Sequence, residues 1–138
     1  MLTQSFAEHL LSIDKIEPTG EQFNFPDTGG FKSIVLESTD GREKFILDVS
    51  RQKLNLKKLK YQNRYNQTEV LVRLDLGGPP HRNPDGEEIS CPHIHLYREG
   101  YGDKWAFVPP KDLIDPNDIF KTLENFFAYC KIIRPPTF

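Results

Sequence analysis

Residues 70–76 read Val-Leu-Val-Arg-Leu-Asp-Leu and residues 91–98 read Cys-Pro-His-Ile-His-Leu-Tyr-Arg. Apolar and polar side chains alternate in both stretches, and an extended chain sends successive side chains to opposite faces. The pattern predicts two strands, with Val70, Val72, Leu74, Leu76, Ile94 and Leu96 facing a core. Arg73, Asp75, Cys91, His93, His95 and Tyr97 then face the other way. If the two strands pair, Arg73, Asp75, His93, His95 and Tyr97 share one surface.

Working outward, Phe31–Ser38 is followed by Asp40-Gly41, a strong hairpin signal, so Lys44–Val49 is expected to pair back on it. Leu54–Tyr61 reads as a further strand, and Lys104–Val108 as another, joined to 91–98 through Gly100–Asp103. Phe6, Leu10 and Ile13 fall at helical spacing, which predicts a helix over Thr3–Lys15 ended by Pro18 and Gly20. A second helix is expected after Asp115 as cap, with Pro116 first and Asp118 in its first turn. Its buried stripe would be Ile119, Phe120, Leu123, Phe126, Phe127, Cys130 and Ile133. The sum is an α+β domain spanning 1–138, with an antiparallel sheet of about six strands and both terminal helices packed on one face.

The chain has 138 residues, 37% of them apolar, enough for one core and too few for two. No apolar run approaches the roughly 20 residues a membrane helix needs, so a cytoplasmic protein with no membrane partner is expected. Cys91 and Cys130 are then expected as free thiols. The net charge of −2 hides an asymmetry, because residues 51–64 carry six cations and no acid.

That basic stretch includes Arg51, Lys53, Lys57, Lys58, Lys60 and Arg64, with Tyr61 and the adjacent Tyr65 among several amide side chains. Cations suit phosphates, tyrosines can stack on unpaired bases and amides can read base edges, so RNA is the expected partner. The alternative is a solvated edge strand whose lysines block association.

His93 and His95 lie two residues apart, and His81 hangs from the long Gly77–Ser90 loop above them. Paired imidazoles serve acid/base chemistry near neutral pH, which points to RNA cleavage with no cofactor and no metal. His93 and His95 would exchange the protons, with His81 assisting, while Arg73, Arg82, Tyr97 and Arg98 bind the scissile phosphate. The competing chemistry is zinc, held by His93, His95 and either His81 or Asp75. No phosphate-binding P-loop, dinucleotide fingerprint, nucleophile elbow or paired Cys-x-x-Cys motif is present.

The stretch Leu74–Phe107, LDLGGPPHRNPDGEEISCPHIHLYREGYGDKWAF, resembles the signature segment of a family of short bacterial and prophage proteins with no assigned function. The resemblance implies a bacterial or mobile-element origin and brings no activity with it. In element order the chain is also similar to toxin ribonucleases of the RelE and barnase type, a likeness of architecture alone. The leading expectation is a small RNA-binding, toxin-like endoribonuclease, with a protein partner such as an antitoxin. The alternatives are a non-catalytic adaptor that binds RNA or a host protein, and a zinc-dependent hydrolase or zinc-binding protein.

Overall fold

The computed structural model describes residues 1–52 and 58–138. Residues 53–57, and with them Lys53, Lys57 and half of the expected Leu54–Tyr61 strand, lie outside the described part. The elements in chain order are α1 (Gln4–Ser12), β1 (Lys15–Ile16), β2 (Phe31–Ser38), β3 (Lys44–Arg51), β4 (Leu59–Tyr65) and β5 (Glu69–Asp75). There follow β6 (His81–Arg82), β7 (Glu88–Ile89), β8 (His93–Leu96), β9 (Ala106–Phe107), α2 (Ile119–Tyr129) and β10 (Ile132–Arg134).

Among the described residues the main sheet has eight strands in the order β10-β1-β2-β3-β4-β5-β8-β9, not six. Five of the expected strands are in it, as β2 with its expected bounds and as β3, β5, β8 and β9 with altered ends. The expected Leu54–Tyr61 strand overlaps β4 only at 59–61, where β4 runs on to Tyr65. The additions are the very short β1 and β10, which pair parallel at the β2 edge. Two or three residues are too few to show a period, so nothing in the sequence announces them. Strands β6 and β7 form a separate hairpin. No helix among the described residues is long and apolar enough to cross a membrane.

Alternation assigns the faces. Ile34, Leu36, Phe45, Leu47, Val49, Tyr61, Val72, Leu74 and Ile94 join one buried cluster with Ala7 and Leu10 of α1 and Leu123, Phe126 and Phe127 of α2. Each such side chain contributes about 1.5–3 kcal/mol on burial. The opposite face carries Ser33, Asp48, Lys60, Gln62, Arg64, Arg73, Asp75, His93 and His95 across successive strands, as their register requires.

Three local expectations change. Helix α1 stops at Ile13, whose backbone is extended, because Lys15 already pairs in β1; Pro18 and Gly20 play no part in ending it. Helix α2 is capped by Asp118, whose carboxylate accepts from the Phe120 and Lys121 amides, while Asp115 closes the turn before it by accepting from Asn117 and Asp118. Both aspartates suit a cap, and only the turn decides between them. Of the expected stripe, Phe120 packs against Phe25 at the surface, and Ile133 points outward while Ile132 is buried, since the chain has by then left the helix for β10.

The third change is a bulge. Asn63 pairs with Val72 but Arg64 pairs with Val70, so Leu71 is the extra residue. Leu71 is buried and Val70 is turned to the polar face, the reverse of strict alternation. Beyond the bulge the Tyr97 amide donates to the Leu71 carbonyl, and the Tyr97 ring enters the core with its hydroxyl donating to the Leu2 carbonyl at 2.6 Å.

Asn63 is fully buried between Leu47 and Val72 in register, and its amide has only the Cys130 thiol beside it, a weak partner that leaves both amide atoms short of an ordinary hydrogen bond. An unpaired buried amide carries its desolvation cost uncompensated, so Asn63→Leu should raise the unfolding free energy by about 1–3 kcal/mol in urea titration. A less stable variant would show that the amide has a partner inside the core.

Candidate functional site

The β5–β8 register sets Arg73 opposite His95 and Asp75 opposite His93. Arg73 Nε donates to Asp75 Oδ1 at 2.9 Å and its Nη1 to Asp103 Oδ2 at 2.9 Å. Its Nη2 lies 3.3 Å from Asp75 Oδ2 and 3.0 Å from His95 Nε2. Asp75 Oδ2 is also 3.2 Å from His93 Nε2 and 3.4 Å from His95 Nε2. Burial alone would raise the Asp75 carboxyl, but the hydrogen-bonded ion pair with the Arg73 guanidinium outweighs it and holds the group well below the usual carboxylate range.

The partners of the rings fix their tautomers. His95 Nδ1 faces the Asp103 carbonyl at 2.8 Å and His93 Nδ1 faces the Ile89 carbonyl at 3.1 Å. A carbonyl only accepts, so the tautomer that satisfies both carbonyls carries hydrogen on Nδ1 and turns the Nε2 lone pair toward Asp75, whose carboxylate is an acceptor as well; on His95 that lone pair meets the donor Arg73 Nη2. Burial pushes the His93 pKa down, past the upward pull of Asp75.

The β6–β7 hairpin covers this cluster. Asn83, a residue to which the sequence assigns no chemistry, clamps the hairpin to β9: its amide donates to the Ala106 carbonyl at 2.9 Å and its oxygen accepts from the Ala106 amide at 2.8 Å. The clamp brings the His81 ring to 4.6 Å from that of His95 and 6.0 Å from that of His93, centre to centre. His81 Nε2 meets the Lys104 carbonyl at 2.7 Å, which leaves its lone pair on Nδ1. All three imidazoles are therefore anchored by one nitrogen to a backbone carbonyl. The cover leaves His93 and His95 only 2% and 1% exposed.

Among the described residues, two hollows that open on the polar face bear on the site. The larger, about 680 Å³, is lined by Phe31, Ser33, Asp48, Arg51, Gln62 and Arg64, and the smaller, about 200 Å³, by Arg73, Asp75, His81, Cys91 and His93. Gln52 and Lys60 line both, so the two hollows adjoin at these side chains and together make up the groove between the basic strand and the histidines.

A family model matches residues 2–132, a span that holds every residue of this groove. The chain belongs to the DUF6978 family, a family of unknown function. No curated protein and no solved structure matches it.

Not every expected site residue of this DUF6978 member reaches the groove. Tyr97 is in the core, as described, and Tyr61 and Tyr65 lie on the core face, their hydroxyls bound to the Ile119 carbonyl and to Glu43. Burial pushes the Tyr61 hydroxyl far above its ordinary pKa. Arg82 is tied within its own hairpin to Glu88 and the Gly86 carbonyl, and Arg98 lies over the Trp105 ring at 4.6 Å. Arg51 lines the groove but donates to the Pro26 carbonyl, and Arg64 is paired with Asp48 at 2.7 Å. Lys58 is half-buried next to the undescribed segment. Lys60 has no acidic partner among the described residues and stands where the hollows join.

The groove also has an aromatic that the sequence reading passed over. Phe31 is 71% exposed and faces the same side as Lys60 and Arg64, because it pairs with Ser50 on the polar register of β2 and β3. The signal for it is the alternation of β2: with Ile34 and Leu36 buried, Phe31 falls on the same side as Ser33.

Proposed function

We propose that the protein binds single-stranded RNA along the polar face of its sheet. The observation that carries this reading is the pair of adjoining hollows, with the cation of Lys60 standing between a basic, amide-bearing hollow and the Arg73–Asp75–histidine end. A cation takes a phosphate, the exposed Phe31 offers a ring face for an unpaired base, and Gln62 and Gln67 offer amides for base edges. Stacking on the sheet face requires unstacked bases, which favours a single strand over a duplex.

Cleavage by His93 and His95 acting directly as acid and base has less support than binding. The two rings are nearly closed off, and each of their nitrogens already faces a protein partner. A non-catalytic RNA adaptor fits the same groove.

Lys60→Glu should weaken binding of a labelled single-stranded RNA about tenfold and flatten the salt dependence, whereas the same change at the exposed Lys121 on α2 should leave both unchanged. Fluorescence polarisation at several salt concentrations reads this directly, and gel analysis of the same samples shows whether the RNA is cut. Equal binding by the two variants would remove the groove from consideration as the RNA surface.

A further inference from the structure

We propose that Asp75, His93 and His95 form a binding site for a divalent transition-metal ion of the zinc type, whose open coordination position faces the small hollow beside His81 and Lys60. The proposal goes beyond the RNA reading, since the groove can bind a strand with no ion present.

The first argument is metric. Four ligands at zinc–nitrogen and zinc–oxygen distances of about 2.0–2.1 Å stand roughly 3.3 Å apart along each edge of their tetrahedron. Asp75 Oδ2 lies 3.2 Å from His93 Nε2 and 3.4 Å from His95 Nε2, and the three ligand atoms all fall within 4.8 Å of one another.

The second argument concerns lone pairs. Metal-bound imidazoles typically donate their other ring N–H to a carbonyl or carboxylate, which fixes the coordinating nitrogen. His93 does so to Ile89 and His95 to Asp103, from two different loops, and both free lone pairs converge on one carboxylate oxygen. Three acceptors meeting at a buried point call for a positive charge between them. Arg73 now meets that demand in part, through Nη2 against His95 and Asp75. Its Nη1 already holds Asp103 at 2.9 Å, so the guanidinium keeps an anionic partner when an ion takes the shared position.

The third argument is access. His93 and Asp75 line the small hollow, so an ion held by them has a face toward the groove although the rings themselves are covered. Water or a phosphate oxygen can complete its shell there. Cys91 Sγ is 3.9 Å from His93 Nε2 and leans on the Asp75 carbonyl, which leaves it outside the set of Asp75, His93 and His95.

The test uses the untagged full chain, stripped with chelator and titrated with zinc or cobalt ions alone. One ion per chain should bind, the cobalt form should show the intense visible bands of a four-coordinate site, and the thermal midpoint should rise with metal concentration. His95→Ala and Asp75→Asn should each lower the affinity tenfold or more, with folding checked by circular dichroism and RNA binding measured in metal-free buffer. Absence of stoichiometric uptake, or uptake that is unchanged in a folded His93→Ala, His95→Ala variant, would overturn the site. Metal uptake and RNA binding are read separately, so failure of either leaves the other standing.

Discussion

Replacing Arg73 with Met should lower the unfolding free energy by about 3 kcal/mol in chelator-treated buffer. Arg73 supplies the ion pairs to Asp75, whose side chain is 8% exposed, and to Asp103, and it donates to the lone pair of His95. Methionine fills much of the same volume but leaves a buried carboxylate without its counter-ion, and an unpaired charge in a poorly solvated place costs far more than a lost surface pair. The double change Arg73→Met, Asp75→Asn removes the charge along with its partner and should recover most of the loss. Urea titration of the parent, Arg73→Met, Asp75→Asn and the double variant gives the comparison as a double-mutant cycle. A single variant as stable as the parent, or a double variant no better than the single, would mean that Asp75 is not held as a buried anion.

The second large effect is in the pH dependence of stability. Lys15 is fully buried, its ammonium donating to the Ile13 and Cys130 carbonyls at 3.0 and 2.8 Å and more distantly to Leu11. Burial pushes its pKa from the ordinary 10.5 down to about 8. Between those values the unfolded chain holds the proton and the folded chain has released it, so stability rises with pH across that window, by as much as about 3 kcal/mol for the lysine alone. Cys130 works against it. Burial raises the thiol from 9.0 to about 12, so above pH 9 the unfolded chain loses a proton that the folded chain keeps, and stability falls.

The parent protein should therefore gain stability between pH 8 and 9, level off to about pH 10 and decline beyond, as the buried Tyr61, raised from its ordinary 10.0, adds its own loss. Cys130→Ala should keep gaining to about pH 10, and Lys15→Met should show only the decline. Denaturant midpoints at half-unit pH steps distinguish the three curves. A parent curve that is flat from pH 8 to 9, or a Lys15→Met curve identical to it, would remove the buried lysine as the cause.

Part of this architecture could be read in advance because strands declare their faces. Residues 31–38 alternate cleanly and form β2 with the expected bounds, and the Asp40-Gly41 turn delivers β3 in register beside it. The alternation in 70–76 and 91–98 likewise places Arg73, Asp75, His93 and His95 on one surface, with the pairing that was expected. The misplacements have a common cause. A single extra residue, Leu71, changes the phase of β5 and carries Val70 out, and Tyr97, whose amide meets the bulge, goes in. Tyr61 and Tyr65 look like stacking residues beside their lysines, but their odd positions on β4 belong to the core side, a fact that becomes visible only when the strand is known to start at Leu59.

The amino-acid order by itself determined the alternating rows, hence the sheet, its main neighbours and the set of titratable groups that share one side. Local spacing suffices for that, because a strand's two faces follow from backbone geometry alone. Only the tertiary structure decided what those groups are able to do. The carbonyls that orient the three imidazoles come from Ile89, Asp103 and Lys104, and the clamp that lowers the hairpin over them joins Asn83 to Ala106. These contacts bring separate loops together, and a ring's choice of lone pair depends on whichever acceptor the folded chain brings to its other nitrogen.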